Sequence, residues 1–589
     1  MRKLLKIYLP AVACALTLIL CYFVVRPYAE IGIADDWVYA RDALNVALTG
    51  HISYSGGETP MLGWQLYFGA LFIKLFGFSF TAVRFSTAVQ AVGIAFLLQR
   101  IGMRAGLNSW NAALVTLIFV FSPLYFPYAF TFMSDVSGAL CILVCVYMCL
   151  RAVQAKNERA AMIWISLAAL LNAVGGTVRQ IAWLGLLVMV PSTLWLLRKS
   201  RRVLVAGGLS CVSGLVFILA AMHWLKQQPY FLPVSPIPHR IDLDFLKNGG
   251  RVVLGGGGVL TMYALPVLLL FAGALRSWKR RLAAALVALL AIVPIHLLKI
   301  DKWPVNAAFN VITFHTADRL NDLAAAAIHL AAARSSLRFL LTGAVVFGLL
   351  CLVLFCIERA PMRPLPTERP VSQQKDTAIS WQKLGVILGP FSAAYLFFVV
   401  VAFVLYDRYF LPLLAILLLL LVRFYQEKQK DRLSWACILL IVLFAGFSLT
   451  ATHDDFALSR SYAATAAEIR LSGVPATAIL GPQAMEGWAE LEKAGHLHPP
   501  TVRTAEAVLT PEKGVPANCD KVLYSLILLG LTPSIQPAYA VSPNPKECDG
   551  QIAFAPVKYS TWIAPRTNWM YAVRLPQSIS QLRPAVDVP

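Results

Sequence analysis

Two nucleotide-binding signatures are missing from this 589-residue chain. Its run of four glycines, residues 255–258, is not followed by Gly-Lys-Ser/Thr, so it is not a phosphate loop; it reads as a flexible entry to an apolar span. No dinucleotide fingerprint occurs either. A convincing signal-cleavage site is also lacking. The opening MRKLLKIYLPAVACALTLIL imitates a signal peptide, but the apolar run continues to Val25, as a retained anchor would. Charged side chains are sparse, at 14%, against 58% hydrophobic residues and a mean hydropathy of +0.67. A soluble chain has no use for that much apolar surface, so this is a polytopic membrane protein. The formal charge of +21 would suit a nucleic-acid partner, but the basic residues lie in short runs between apolar spans. That is the positive-inside pattern, and it leaves nucleic acid out.

The apolar runs predict about thirteen spans of roughly 16–23 residues. They cover 4–25, 80–98, 111–128, 135–152, 160–178, 181–197, 203–225, 259–275, 282–298, 337–357, 384–405, 409–424 and 433–450. With the N-terminus in the cytoplasm, every inner loop is basic, from Arg100 and Arg104 through Arg198–Arg202 and Arg276–Arg281 to Arg423–Arg432. Residues 61–76 compete as a further span, but counting them would turn two strongly basic loops outward. They are therefore read as an interfacial helix. The expected organisation is a transmembrane domain over 1–451 with an outer loop at 26–79, then a small extracytoplasmic α/β domain over 452–589. The expected location is a bacterial inner membrane with that last domain in the periplasm.

In the C-terminal part, helical periodicity at Leu458, Tyr462, Thr465 and Ile469 ends at Gly473 with Pro475 behind it. Short β-like runs follow at 478–480, 522–529, 551–554 and 570–573. Of the eleven cysteines only Cys519 and Cys548 lie in this domain, which fits a disulfide in an oxidising compartment.

Acids gather in and just before residues 34–64: Glu30, Asp35, Asp36, Asp42 and Glu58. Trp37, Ala40, Leu44 and Leu48 have helical spacing, with Arg41, Asp42 and Asn45 between them, as in a helix lying along a membrane surface. Asp35 and Asp36 fall at its N-terminus, where they fit either simple capping or chemistry. Asp135 is an acid at the mouth of a span, a costly position, and also fits a helix cap.

Taken in order, these motifs resemble the GT-C membrane glycosyltransferases, and most nearly the branch of protein O-mannosyltransferases and the lipid A aminoarabinose transferase. Asp35, Asp36, Tyr39, Ala40 and Gly50 match the family's Asp-Asp/Glu-x-x-Tyr-Ala opening. Glu58, Thr59, Pro60 and Trp64, then Lys74-Leu75-Phe76-Gly77 and Ala82-Val83-Arg84, follow the next element. Asp135 matches the second acid, Arg179-Gln180 a basic position, and Asp407-Arg408-Tyr409-Phe410-Leu411-Pro412 an Arg-Tyr-x-x-Pro turn. Arg460, Gly473, Pro475, Gly481, Glu486, Gly487 and Trp488 echo a C-terminal pattern. Glu58 departs from the family, standing where Lys is usual and one place from a Glu used for metal by some relatives.

The resemblance implies a GT-C fold and transfer of a sugar from a polyprenyl-phosphate-linked donor to a lipid, glycan or protein acceptor. It casts Asp35 as general base and Asp36 as its orienting neighbour or a cap, with Asp135 as a second catalytic acid. Arg179 and Arg408 are candidates for the donor phosphate, with interfacial anchoring as the other reading. A divalent metal ion is a candidate cofactor, with Glu58, His51 and His239 as candidate ligands. A transporter is the main non-enzymatic alternative, although no two-fold repeat is evident and the acids gather at one surface rather than at mid-membrane. An inactive scaffold of the same fold is another.

Overall fold

The computed structural model describes residues 2–58, 60–231, 243–275, 277–297, 332–357, 379–401, 406–428, 435–498, 518–519, 532–563 and 566–576. Helix α1 (Arg2–Val25) leads into two short helices, α2 (Asp36–Thr49) and α3 (Gly63–Phe76), which pack on each other. At 14 residues each, they are too short to span a bilayer. The long α4 (Phe80–Arg104) follows, then α5 (Ser109–Val120), α6 (Ser134–Val153), α7 (Glu158–Gly175), α8 (Val190–Leu196) and α9 (Arg201–Lys226). Helices α1, α4, α6, α7 and α9 pack in succession. A second group holds α10 (Leu243–Tyr263), α11 (Leu265–Ala274), α12 (Trp278–Leu297) and α13 (Ala332–Ile357). Next come α14 (Trp381–Val401), α15 (Leu411–Lys428) and α16 (Trp435–Leu471); α15 packs on α5 and α11, and α16 on α1 and α11, joining the groups.

Among the described residues eight helices are long and apolar enough to cross a membrane, or nine if the pair 255–263 and 265–273, bent by 68°, is one span. The protein is therefore polytopic and mostly helical, but thirteen uniform spans are not seen. The expected span at 111–128 stops at Val120, because Pro123 cannot continue the helix and the chain turns instead. The span expected at 181–197 is broken into a 3-10 turn, a π-helical turn at Gly185–Met189 and α8. Pro191 cannot supply an N–H there, and Asn172 Oδ1 accepts the Leu186 amide at 2.7 Å. Gly185 allows that approach, since a Cβ would lie 2.5 Å from the Asn172 amide. Glycines 255–258 lie inside α10 rather than in a flexible entry. The connection expected between the spans at 282–298 and 337–357 is almost wholly outside the described residues.

Helix α16 runs 37 residues without a break, from the apolar region past Thr452 and into the C-terminal part. It ends at Leu471, with Gly473 at φ +89°. The β-strands are β1 (Ile479–Leu480), β2 (Tyr539–Ser542), β3 (Gln551–Ile552), β4 (Val557–Thr561) and β5 (Arg566–Arg574). Their order is β1-β2-β5-β3, with β4 also paired to β5; β1–β2 is parallel and the other pairs antiparallel. Strands β2 and β4 had no expected counterpart, and the run at 522–529 lies outside the described residues. Cys519 and Cys548 are joined by a disulfide, with Cα atoms 4.4 Å apart.

This small sheet is tied to α16. Asp454 accepts the Trp562 and Ile563 amides at 2.7 and 3.0 Å, and His453 stacks on Trp562 with centroids 3.6 Å apart. A further helix, α17 (Gln483–Ala494), lies on α2. Gly487 makes that contact possible, because a Cβ there would meet the Trp37 ring at 2.2 Å. Trp488 stacks on Phe78, with centroids 5.3 Å apart, and meets Phe80 edge-on.

Glu486 is fully buried beside this junction, with no cation paired to it among the described residues. Burial pushes its pKa well above the usual 4.5, and the Gly481 backbone offsets only part of this. A carboxyl raised in the folded state stabilises it at low pH, and that stability is lost as pH rises from the unfolded value towards the folded one. Glu486→Gln is therefore expected to unfold at the wild-type temperature at about pH 3.5, below the unfolded carboxyl's pKa, and about 2–4 °C higher at pH 8. Identical midpoints at both pH values would mean that Glu486 ionises without cost.

Candidate functional site

The loop between α1 and α2 is held from behind by a buried ion pair. Arg84, on α4, donates from Nε to Asp36 Oδ2 at 2.8 Å, from Nη1 to Ala29 O at 2.7 Å and from Nη2 to Ile31 O at 2.5 Å. Asp36 also accepts the Ile33 amide at 2.6 Å and the Phe132 amide at 3.4 Å. Both side chains are essentially inaccessible, 0% and 2% exposed. Phe80 and Phe456 lie 5.3 and 5.7 Å from the guanidinium. Asp36 thus has its oxygens committed to the loop and to Arg84, leaving none for a substrate.

Asp35 faces the other way. It occupies the N-cap position of α2 yet makes no capping hydrogen bond. Its Oδ2 lies 3.4 Å from Arg408 Nη2. Arg408 sits in a 3-10 turn at Asp407–Phe410, where Asp407 Oδ1 accepts the Arg408 amide at 2.7 Å. Its Nε is 3.4 Å from Asp135 Oδ2, and Asp135 Oδ1 takes a short hydrogen bond from Arg179 Nη1. Asp35, Asp135, Arg179 and Arg408, from four distant segments, therefore form one charge network at one end of the helical bundle. Arg408 packs over the Tyr406 ring at 4.3 Å, and Arg179 over Tyr409 at 4.5 Å. Tyr39 and Tyr128 complete the buried surround.

A small cleft, with room for about one water molecule, opens beside this network. One end has Asp135, Arg179 and Arg408; elsewhere it is lined by Ala139, Ile142, Leu411 and Pro412. Asp135 and Arg408 are buried, whereas Asp35 keeps 33% of its side chain exposed. Burial raises its pKa above 3.8, Arg408 opposes the shift, and Asp135 and Asp36 add to it.

Glu58 lies in a different setting. It is fully buried, and its two oxygens accept the Ser55 and Gly56 amides, each at 2.9 Å. Asp42 lies beside it and takes the Ser55 hydroxyl at 2.7 Å. Burial, then the Glu58 charge, raises the Asp42 pKa well above the ordinary range, and the two carboxyls together brace the turn through Ser55 and Gly56. His51 is exposed and turned back on Thr49 O at 3.1 Å, while His239 lies outside the described residues. Among the described residues no three-ligand grouping includes Glu58 or His51; the one such grouping is Cys519, Glu547 and Cys548, two of which are disulfide-bonded. Among the described residues Glu58 and His51 are not brought together as metal ligands.

Arg84 and Asp42 were given no role from sequence. Arg84 had a signal, being a charge inside an apolar span. Asp42 had none beyond its place in an acid-rich stretch.

Fold and network together define a polytopic helical membrane protein with a buried arginine–aspartate site at one end. No family model and no curated protein matches the sequence. Among solved structures the chain is similar to ArnT from Cupriavidus metallidurans in the apo state, at 13% identity over 98% of this chain and 99% of that one, with a TM-score of 0.40. It is also similar to the same protein bound to undecaprenyl phosphate, at 14% identity over 96% and 98%, with a TM-score of 0.38.

Proposed function

We propose that the chain is an integral-membrane glycosyltransferase that takes a sugar from a polyprenyl-phosphate donor and gives it to a hydroxyl of a lipid, glycan or protein. The observation that carries this reading is the convergence of Asp35, Asp135, Arg179 and Arg408 in one charge network, with Asp135, Arg179 and Arg408 lining a small cleft whose other walls are mostly apolar. A lipid phosphate needs both halves: guanidinium forks for its oxygens and an apolar wall for its chain. Residues 1–451 form the catalytic part in the bacterial inner membrane, and residues 452–589 form a domain on the periplasmic side.

In the reaction, Asp35 takes the acceptor hydroxyl's proton as the oxygen bonds to the sugar's anomeric carbon. The bond from that carbon to the phosphate oxygen breaks, and its electron pair leaves with the phosphate. The donor's single negative charge becomes two on the departing polyprenyl phosphate, and Arg408 and Arg179 stabilise that increase. Asp135 holds both guanidiniums in place. No step requires a metal.

Arg408→Lys keeps the charge and loses the fork. With a polyprenyl-phosphate sugar as donor, kcat/KM is expected to fall about tenfold to a hundredfold, and further in Arg408→Ala, with no rescue by excess acceptor. Wild-type donor kinetics in both variants would make Arg408 an interfacial anchor. The sidedness has its own test. In a Cys356→Ser background, a cysteine at the exposed Leu48 should react with an impermeant reagent from the periplasm, and one at Gln373 should not. The reverse pattern would place the site on the wrong face for this donor chemistry.

A further inference from the structure

We infer that Asp35 and the donor's phosphate compete for the same guanidinium edge of Arg408, so that arrival of the phosphate is what frees Asp35 to take a proton. This rests on the reading that the cleft binds a lipid phosphate.

The charge layout carries the inference. Asp36 is spent on Arg84, so the network has two cations, Arg179 and Arg408, facing two carboxylates, Asp35 and Asp135. An anion that takes the Nη2 edge of Arg408 must displace Asp35 from it. Asp135 contacts both arginines and is 1% exposed, so it is fixed. Asp35 contacts Arg408 alone, through one 3.4 Å interaction, and one-third of its side chain reaches solvent. Asp35 is the carboxylate that yields. It is also the one that blocks Nη2, while Nε faces Asp135.

The exchange has a chemical consequence. While paired with Arg408, Asp35 is a weakened base, because the adjacent cation favours its ionised form. Once a phosphate oxygen holds Nη2, Asp35 loses its one cationic partner and gains an anionic neighbour, and its affinity for a proton rises. Transfer then puts that proton on Asp35 and a second negative charge on the phosphate, which strengthens the phosphate's hold on Arg408. When the polyprenyl phosphate leaves and Asp35 gives up its proton, the Asp35–Arg408 pair re-forms. A bare site thus holds its base in check against stray hydroxyls, and donor must bind before the acceptor can react.

The test is a binding cycle on the full-length protein in nanodiscs, with undecaprenyl phosphate as probe and undecaprenol as the phosphate-free control. Asp35→Asn is expected to bind undecaprenyl phosphate at least about tenfold more tightly than wild type, with undecaprenol unchanged. In an Arg408→Ala background the same substitution should give no gain, because the contested guanidinium is absent. Equal or weaker binding by Asp35→Asn, or a tenfold gain that persists without Arg408, overturns the competition. If neither wild type nor Asp35→Asn distinguishes undecaprenyl phosphate from undecaprenol, the lipid-phosphate reading fails and takes the competition with it.

Discussion

Asp35→Asn is expected to lower sugar transfer by about a hundredfold to ten-thousandfold, the range typical for loss of a general base, while the protein keeps its fold and its donor. The structure gives two reasons to expect so clean an effect. Asp35 makes no capping bond to α2 and a single long contact to Arg408, so an isosteric amide removes little that holds the loop. The loop is fixed instead by Asp36, whose substitution to Asn should damage the protein broadly. The acid limb of the wild-type pH profile carries a second signature. Burial lifts Asp35 above the usual 3.8, so kcat/KM should fall tenfold per pH unit below a value higher than that of an ordinary carboxylate. In Asp35→Asn the residual rate should lose that limb. Turnover near wild type, measured with a polyprenyl-phosphate sugar and its true acceptor, would remove Asp35 from the chemistry.

Much of the membrane architecture was legible because apolar length and basic loops are read off one residue at a time. The breaks were not. Nothing in the composition of 181–197 shows that Asn172 reaches across to the Leu186 amide, and a run of apolar residues reads as one span whether or not its hydrogen bonds are continuous. Strands β2 and β4 were missed for a different reason. Tyr539–Ser542 is only four residues long, and Val557–Thr561 carries Lys558 and Ser560 on its exposed face, so neither forms an apolar run. At the site, Asp35, Asp135, Arg179 and Arg408 could be picked out by motif order, and both arginines assigned to one phosphate, but their ion pairs with the two aspartates could not be read. The sequence also hid the difference between Asp35 and Asp36, which depends on a partner 48 residues away from Asp36. Glu58 looked like a ligand because its oxygens were assumed to be available; the Ser55 and Gly56 amides occupy both.

The largest effect on stability and activity together is expected at Arg84. Its guanidinium meets Asp36 and the Ala29 and Ile31 carbonyls at once, so Arg84→Met would leave a buried carboxylate without its cation and two carbonyls without a donor. Breaking a buried pair in this way typically costs about 3–5 kcal/mol. Here the loss falls on the segment that carries Asp35, so transfer should become undetectable even in protein that remains folded. The double variant Asp36→Asn/Arg84→Met separates the two consequences. Removing the orphan charge should recover part of the thermal midpoint lost in Arg84→Met, because the main penalty is an unpaired ion in a dry site. Turnover should not return, since Ala29 and Ile31 still lack the donors that shape the loop. Full recovery of transfer in the double variant would show that charge alone positions Asp35. A wild-type midpoint and rate in Arg84→Met would show that the loop holds its shape without the pair.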